Sequence, residues 1–362
     1  MITRFLQERI NAFQPYHTDK SMTYEDGLML LAALRFHEYT GDDFYFDFLR
    51  RYLEFHIDAD GTIAHYRLED YNIDNILAGR VLFYMADHTD DRRYELAAAR
   101  LRQQLATQPR TESGSFWHKL RYPNQIWLDG LYMGQPYYLE YANRHGEPGV
   151  SADVMNQVEN VRRFLWDDAR RLYVHAYDES RKMPWADPVT GHSPNVWLRS
   201  VGWFAMALVD LAALFAGRDD QAKNRLAALL NELLAGMIPQ RDAKTAMWFQ
   251  IVDRPTFTGN YLETSGSAML AYAMLKGVRI GILDPKFAEQ ANLTLKGIEN
   301  HYLRQDDHGF VLGGTCAVAG LDGERRNGSI EYYLSERIAE NEIKGIAPYF
   351  YCFIEKYLLG KN

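Results

Sequence analysis

Apolar residues recur along most of the chain at intervals of three and four positions, which places them on one face of an α-helix. In residues 24–40, for example, Leu28 and Leu31 share such a face with Phe36. The spacing predicts about a dozen helices, over residues 2–13, 24–40, 42–57, 73–87, 92–105, 129–143, 151–166, 195–215, 221–237, 261–281, 284–302 and 343–359. Short β-like pieces, without convincing alternation, lie between helices at 62–66, 172–175 and 247–252.

The linkers between these helices alternate in length. Four are short, at 41, 88–91, 217–220 and 282–283, and five are long, at 58–72, 106–128, 167–194, 238–260 and 303–342. A short link makes two helices antiparallel neighbours, and a long link carries the chain to the next pair. We therefore predict an all-α fold in which six helical hairpins close into an (α/α)6 barrel. No repeated motif favours an open solenoid, and no composition shift divides the chain, so one domain over 1–362 is expected.

The long linkers indicate where function lies. The long linkers precede every second helix, so all of them emerge at the same end of the predicted barrel. If those helices form the inner ring, the long loops and the inner-helix N-termini build one shared funnel, where binding residues concentrate.

Charge and composition exclude several classes of protein. With 40 Lys+Arg against 48 Asp+Glu the net charge is −8, which disfavours nucleic acid as a partner. The apolar run at 205–215 is interrupted by Asp210 and is too short to span a bilayer, so no membrane association is expected. The first residues do not resemble a secretory signal. Two cysteines, Cys316 and Cys352, indicate unlinked thiols in a reducing cytoplasm. The aromatic content, 14%, suits sugar binding and core packing alike.

Two aspartates at predicted helix starts are candidates for chemistry. Asp74 and Asp129 both have a structural alternative, because Asp is favoured as a helix N-cap. Around Asp129, apolar neighbours such as Trp127 would remove the carboxyl group from water and favour its protonated form, which suits a general acid. Gly130 and Gly134 leave space beside it for a ligand to approach.

Other candidates occupy the same loops and helix starts. His118 and His175 lie in long loops without metal-ligand spacing, so a structural role is the alternative for each. Arg199 lies between Trp197 and Trp203 in sequence and could bind a carboxylate with two parallel hydrogen bonds. The alternatives are an ordinary ion pair for the arginine and core packing for the tryptophans. Motifs for nucleotide binding and for serine or cysteine nucleophiles are missing from the sequence.

Several stretches, taken together, resemble the unsaturated rhamnogalacturonyl hydrolases of glycoside hydrolase family 105, which are related to the unsaturated glucuronyl hydrolases of family 88. They are residues 117–118, the Trp-Leu-Asp-Gly-Leu-Tyr-Met element at 127–133, and residues 175–180, 185–191, 197–203 and 331–345. The family fold is a six-hairpin (α/α) barrel, in agreement with the linker pattern.

The resemblance implies a hydrolase that removes a Δ4,5-unsaturated uronic acid from the non-reducing end of small lyase-generated oligosaccharides. It implies Asp129 as the catalytic acid and base, and Asp74 as a second essential aspartate that binds sugar hydroxyls and helps by repulsion to keep Asp129 protonated. The implied substrate-binding positions are Tyr24, His118, Met133, His175, Trp197, Arg199 and Trp203, with Arg199 for the uronate carboxylate. The loop 313–316 is a candidate to close over the aglycone side. Neither a metal nor an organic cofactor is implied.

Three other functions stay open at this stage. An unsaturated glucuronyl hydrolase would share the barrel and the mechanism but bind a different aglycone. A non-catalytic sugar-binding barrel would keep the tryptophans and Arg199 without needing both aspartates. A sugar epimerase would need a pair of histidines, for which His118 and His175 are available.

Overall fold

The structure, a computed structural model, describes residues 2–15 and 18–361. Within these ranges the chain forms thirteen α-helices: α1 (Ile2–Ala12), α2 (Tyr24–Thr40), α3 (Asp43–His56), α4 (Gly79–His88), α5 (Arg93–Thr107), α6 (Leu128–His145), α7 (Val150–Leu165), α8 (Leu198–Phe215), α9 (Asp220–Met237), α10 (Thr264–Arg279), α11 (Lys286–Tyr302), α12 (Ile330–Ser335) and α13 (Ile343–Lys361). The predicted domain ends, residues 1 and 362, lie outside the described residues, and the single-domain organisation stays a prediction.

Six of these helices form a closed inner ring. α2 contacts α4, α4 contacts α6, and the contacts continue through α8, α10 and α13 back to α2. Each inner helix also packs against an outer helix, from the set α1, α3, α5, α7, α9 and α11. The predicted (α/α)6 barrel of six hairpins is therefore confirmed.

The first hairpin shows how local sequence sets the alternation. Thr23 and Asp26 form a capping box at the start of α2, in which the Asp26 carboxylate accepts a hydrogen bond from the Thr23 backbone N–H (2.7 Å). Gly41 ends the helix in the left-handed conformation (φ 66°). The Asp42 side chain then accepts from Phe44 N and starts α3 at once. A two-residue break, in which Gly41 caps the end of α2 and Asp42 caps the start of α3, makes the two helices antiparallel neighbours.

Helix α8 is the most apolar member of the inner ring. By length and composition alone it could cross a membrane, and 89% of it is buried inside the protein. The apolar run at 205–215 is thus part of a longer, 18-residue helix. Its Asp210 is paired with Lys276 (2.7 Å) and Arg80 (2.8 Å), and these cations outweigh burial and hold its pKa well below the usual range. This charge cluster links α8 to α4 and α10 in the barrel core.

Eight short strands lie in the long loops: β1 (Gln125–Trp127), β2 (Trp166–Asp167), β3 (Leu172–Tyr173), β4 (Ala176–Asp178), β5 (Leu303–Asp306), β6 (Gly309–Leu312), β7 (Thr315–Cys316) and β8 (Ile338–Ala339). They pair antiparallel as β1–β4, β2–β3, β5–β6 and β7–β8. In the first of these ladders Trp127 lies opposite Ala176, which brings the start of α6 next to the loop that precedes α8.

The structure differs from the predicted elements in two places. The helix expected at 73–87 begins as a separate 3-10 turn, Ile73–Asn75, and α4 itself starts only at Gly79. The turn is capped by Asn72, whose side chain accepts from Asp74 N (3.1 Å). Inside the long linker 303–342, the sequence analysis missed the short helix α12, which Ser329 caps through Tyr332 N (3.1 Å).

Candidate active site

A cavity of about 740 Å³ opens at one end of the barrel. Its walls come from the start of α2, the 3-10 turn before α4, the first turns of α6 and the loops at 118–122 and 318–326. It is lined by Lys20, Thr23, Tyr24, Glu25, Asp70, Asn72, Asp74, His118, Lys119, Leu120, Arg121, Tyr122, Trp127, Asp129, Met133, Val318, Ala319, Gly320 and Arg326. The cavity therefore lies where the long loops and inner-helix N-termini were expected to meet, and five of the nine predicted site residues line it.

Asp129 lies in the first turn of α6, with its side chain 14% exposed. Its Oδ2 atom is buried and lies 3.3 Å from His175 Nε2. No lysine or arginine side chain within the described residues forms an ion pair with it. Asp129 does not cap the helix, because Trp127 occupies the cap position. The N-cap alternative therefore does not apply, and the carboxyl group is available to the cavity.

Asp74 has a different environment. Its Oδ2 atom accepts a 2.5 Å hydrogen bond from Lys119 Nζ, and Oδ1 lies 3.3 Å from His118 Nε2. Burial raises the pKa of this carboxyl group, but Lys119 and His118 outweigh burial and hold the pKa below its usual value. The cap of its turn is Asn72, so the N-cap alternative fails here too. Asp74 is an ionised carboxylate, and its charge is partly neutralised by Lys119.

His118 belongs to a stack of flat groups along one wall. Its ring lies parallel to that of Trp127 (5.0 Å, 5°), Trp127 stacks on Tyr122 (4.8 Å, 18°), and the Arg121 guanidinium covers Tyr122 at 4.8 Å. Burial lowers the pKa of His118 to about 4, although Asp74 opposes the shift, so the imidazole is neutral at pH 7. Gly130 faces this ring: an added Cβ would lie 3.0 Å from His118 Nδ1. The glycine thus makes room for the histidine, in contrast to the expectation that it clears space for a ligand.

The second glycine of this helix also has a packing role. A Cβ at Gly134 would approach the side chain of Ile73 to 3.1 Å, at the turn that carries Asp74. Gly134 therefore allows close contact between α6 and this turn, and it fixes the two aspartates relative to each other.

His175 lies beneath the cavity and is fully buried. Besides Asp129, it contacts Tyr333 of α12, whose hydroxyl group is 2.7 Å from His175 Nδ1. The backbone carbonyl of His175 accepts from Leu128 N (3.2 Å), so the histidine and the start of α6 are tied together directly. The structure thus places His175 against the candidate acid and not on the cavity surface.

Three further predicted site residues also lie under the cavity. Arg199 is 2% exposed, covers the Trp197 ring at 4.8 Å, and donates a short hydrogen bond to the Cys316 carbonyl. Trp203 stacks on Tyr132 (5.2 Å, 18°). None of the three is among the described residues that line the cavity. The proposed contact between Arg199 and a uronate carboxylate stays a prediction.

The loop at 313–316 is buried and attached to the start of α10. Thr264 N donates to the Gly314 carbonyl (2.9 Å), and Cys316 N donates to the Glu263 carboxylate (3.1 Å). The cavity wall is formed by the residues that follow, 318–320. These hydrogen bonds hold 313–316 beneath the surface, and the expected closure of this loop over an aglycone stays a prediction.

Sequence reasoning missed four of the side chains that shape this site: Lys119, Tyr122, Trp127 as a stacking partner, and Tyr333. A usable signal existed for Lys119, which directly follows His118 in a long loop. No comparable signal points to Tyr333, since its contact with His175 spans 158 positions.

Metal-ligating side chains and thiols are the remaining reactive groups of the described residues. Within residues 2–15 and 18–361, no group of three or more His, Cys, Asp or Glu side chains could hold a metal ion. Cys316 and Cys352 are both free and buried, and burial raises the pKa of each thiol.

Comparisons with known proteins give one family model, one solved structure and two relatives that bear on this site. The family model for Glycosyl Hydrolase Family 88 matches residues 1–359. A solved structure of a family 105 glycoside hydrolase from C. acetobutylicum has a TM-score of 0.93 and 38% identity, and the match covers 98% of this chain and 99% of that one. A 24.9 kDa protein in the picA locus of Rhizobium radiobacter is 40% identical over 237 residues, which are 63% of this chain and all of the relative. The unsaturated rhamnogalacturonyl hydrolase YesR of Bacillus subtilis is 23% identical over 86% of this chain and 85% of its own length.

Proposed function

Because this chain belongs to glycosyl hydrolase family 88 and is a glycoside hydrolase, we propose that it releases a Δ4,5-unsaturated uronic acid of the galacturonyl type. The proposed substrates are small lyase-generated oligosaccharides such as the unsaturated rhamnogalacturonan disaccharide. The name of the Bacillus subtilis relative, an unsaturated rhamnogalacturonyl hydrolase, supports this choice. The cavity of about 740 Å³ is large enough for a ligand of this size.

The observation that carries the proposal is the pairing state of Asp129. This carboxyl group lines the cavity, is mostly buried, and contacts a histidine but forms no ion pair with a lysine or arginine within the described ranges. A carboxyl group without a cationic partner can carry a proton into the reaction and return as a carboxylate, which is what a general acid and base must do. Asp74 cannot take that part, since Lys119 keeps it ionised.

The chemistry follows from the double bond of the substrate. Asp129 transfers its proton to C4 of the C4=C5 enol ether, and cationic character develops at C5. The Asp129 carboxylate then accepts a proton from a water molecule as the water oxygen bonds to C5. The resulting hemiketal opens and releases the aglycone sugar. This hydration differs from ordinary glycoside hydrolysis, in which two carboxyl groups flank the scissile bond.

Asp74 binds sugar hydroxyl groups in this proposal. An ionised carboxylate offers two strong hydrogen-bond acceptors, and Asp74 already lines the cavity. Its repulsion of a charge on Asp129 is weaker than the sequence alone suggested, because Lys119 offsets much of the negative charge. Orientation of the sugar is therefore its main contribution.

The test combines a substrate pair with one substitution. The wild-type enzyme should consume an unsaturated disaccharide, followed by loss of the enol-ether ultraviolet absorbance, and leave the saturated analogue of the same linkage intact. Asp129→Asn should lower kcat about 1,000-fold or more, within the range of general acid–base catalysis, while the helical circular dichroism and substrate binding persist. Hydrolysis of the saturated analogue at a similar rate, or near-normal turnover by the variant, would contradict the proposal. A panel of unsaturated galacturonyl and glucuronyl disaccharides then decides the sugar preference.

A further inference from the structure

A buried chain of three side chains leads away from the cavity. Asp129 Oδ2 lies 3.3 Å from His175 Nε2, and His175 Nδ1 lies 2.7 Å from the Tyr333 hydroxyl. His175 and Tyr333 are both fully buried, at 0% exposure. No other partner of the Tyr333 hydroxyl is found in the part of the chain that the structure describes. Within the described residues, the Tyr333 hydroxyl group therefore interacts with His175.

We propose that Tyr333 is a positioning residue, which selects the His175 tautomer that donates its Nε2–H to Asp129 Oδ2. The proposal rests on the function proposed above, because it assigns the state of the acid used there. It extends the site by a residue that neither touches the cavity nor lies near the other site residues in sequence.

The assignment follows from counting hydrogen-bond donors and acceptors. A neutral imidazole has one N–H donor and one acceptor nitrogen, so the partner at one nitrogen decides what the other can do. Burial raises the pKa of Tyr333 well above its usual value, and the phenol keeps its proton. When the Tyr333 O–H donates to Nδ1, the hydrogen of His175 must be on Nε2, facing Asp129. The opposite tautomer would leave the phenol hydrogen without an acceptor in an apolar setting, which is costly.

This arrangement gives the two oxygens of Asp129 separate roles. In the structure Oδ2 and His175 Nε2 are both buried and lie 3.3 Å apart, and neither atom has a hydrogen-bond partner within the described residues. The proposed Nε2–H tautomer supplies a partner to both atoms, so Oδ2 is not the atom that carries the acidic proton. The proton is then carried by Oδ1, the oxygen left to face the cavity. After proton transfer the same hydrogen bond stabilises the carboxylate that must activate water.

The surrounding aromatic rings pack against His175 and hold it in place, but they do not determine which of its nitrogens carries the hydrogen. Trp197 packs on the imidazole (4.6 Å) and stacks on the Tyr333 ring (5.9 Å, 21°), and Trp127 contacts the imidazole edge-on (5.2 Å, 71°). The α12 segment that carries Tyr333 is fixed by Asn195, whose side chain donates to the Gly328 carbonyl (2.7 Å). Removal of the phenol oxygen alone should therefore leave the packing intact.

Tyr333→Phe tests this, since it deletes one oxygen and keeps the ring. We expect kcat to fall about 10-fold with KM within about 2-fold, the size of effect that one buried hydrogen bond supports. Tyr349→Phe is the matched control: it removes another buried hydroxyl, which donates to Glu299 (3.2 Å) on the outer side of the barrel, and should leave kcat unchanged. In a His175→Ala background, Tyr333→Phe should change kcat less than about 2-fold, because the effect passes through the histidine. An equal loss of kcat in both backgrounds would overturn the proposal.

A second measurement does not depend on turnover. Imidazole nitrogen chemical shifts, with the His175 signals assigned by their loss in His175→Ala, report the tautomer directly. We expect the Nε2–H form in the wild type and a larger share of the Nδ1–H form in Tyr333→Phe. An Nδ1–H histidine in the wild type would refute the inference even in an active enzyme. If the expected tautomer is found but unsaturated uronides are not consumed, the proposed function fails and the positioning role stands.

Discussion

The site contains two aspartate–histidine pairs of nearly the same geometry. Asp74 lies 3.3 Å from His118 Nε2, and Asp129 lies 3.3 Å from His175 Nε2. One indole, that of Trp127, contacts both imidazoles: it stacks on His118 and meets His175 with its edge. The pairs differ in the third group of each set. Lys119 binds Asp74, and the phenol of Tyr333 binds the histidine next to Asp129.

That third group decides what each carboxyl group can do. A lysine at 2.5 Å favours the ionised form of Asp74 so strongly that its pKa is lowered in spite of burial. The phenol behind His175 keeps its proton, because burial raises the pKa of Tyr333, and so it adds no charge near Asp129. Asp129 lies in the first turn of α6 and Asp74 in the 3-10 turn before α4, so both lie close to the start of an inner helix. The two carboxyl groups are distinguished by the cation beside Asp74, and the proposed acid and binding roles depend on that difference.

The largest effect on this comparison should come from Asp74→Asn. The substitution keeps the size of the side chain but removes the charge and leaves Lys119 without its partner. We expect kcat/KM to fall about 100- to 1,000-fold, a loss typical of one charged group that orients a reacting substrate. Steady-state kinetics on the unsaturated disaccharide measure it, with Asp129→Asn as the reference. A loss below about 5-fold would show that Asp74 is only structural.

A smaller effect is expected from Lys119→Met, which removes the distinguishing cation and keeps both aspartates. Without the lysine, burial dominates and the pKa of Asp74 rises. A larger fraction of Asp74 is then protonated at acidic pH, so the acid limb of the kcat/KM profile should move to higher pH. Activity relative to the wild type should therefore be lower at acidic pH and should recover as the pH is raised.

Lys20→Met provides the control for this shift. Lys20 also lines the cavity, but it forms no ion pair within the described residues. Its removal should leave the acid limb where it is in the wild type. Lys119 does not set the charge of Asp74 if the acid limb of the kcat/KM profile is unchanged in Lys119→Met. The same conclusion follows if the limb moves equally in Lys119→Met and Lys20→Met.

The barrel was predictable because its information is local. Helical periodicity runs along the whole chain, and five of the six helix pairs join helices that are consecutive in sequence; the sixth pair, α13 with α1, brings together the two ends of the described chain. The elements that were missed depend on partners far away in the sequence. The strands β1 and β4 exist only because two long loops meet, and the 3-10 turn before α4 is set by the Asn72 side chain. Neither feature produces a periodic pattern of apolar residues in the sequence.

The residues of the candidate site were predictable from the sequence to a similar extent, but their contacts were not. Asp74, Asp129 and both histidines were predicted from the sequence, and the structure places each aspartate next to one of the histidines. It did not find which group completes each pair, since Lys119 lies 45 positions from Asp74 and Tyr333 lies 158 positions from His175. The family resemblance implied Arg199 as a substrate-binding residue, and its contact with a uronate stays a prediction; in the structure its guanidinium donates to the Cys316 carbonyl and does not line the cavity. Such contacts come from tertiary packing and have no local signature.

The smallest expected effect concerns the histidine of the Lys119-containing pair. Burial lowers the pKa of His118 to about 4, against about 6.5 for an ordinary histidine, so the unfolded chain binds a proton that the folded protein excludes. Stability is therefore lost as the pH falls from about 6.5 towards 4, and between pH 7 and 5.5 the loss from this group is about 1 kcal/mol. His118→Gln keeps a neutral donor near Asp74 but does not titrate, so its free energy of unfolding, measured by urea denaturation at both pH values, should fall about 1 kcal/mol less than that of the wild type. Parallel losses in the two proteins would mean that His118 is protonated in the folded state, and the neutral imidazole assigned to this pair would be wrong.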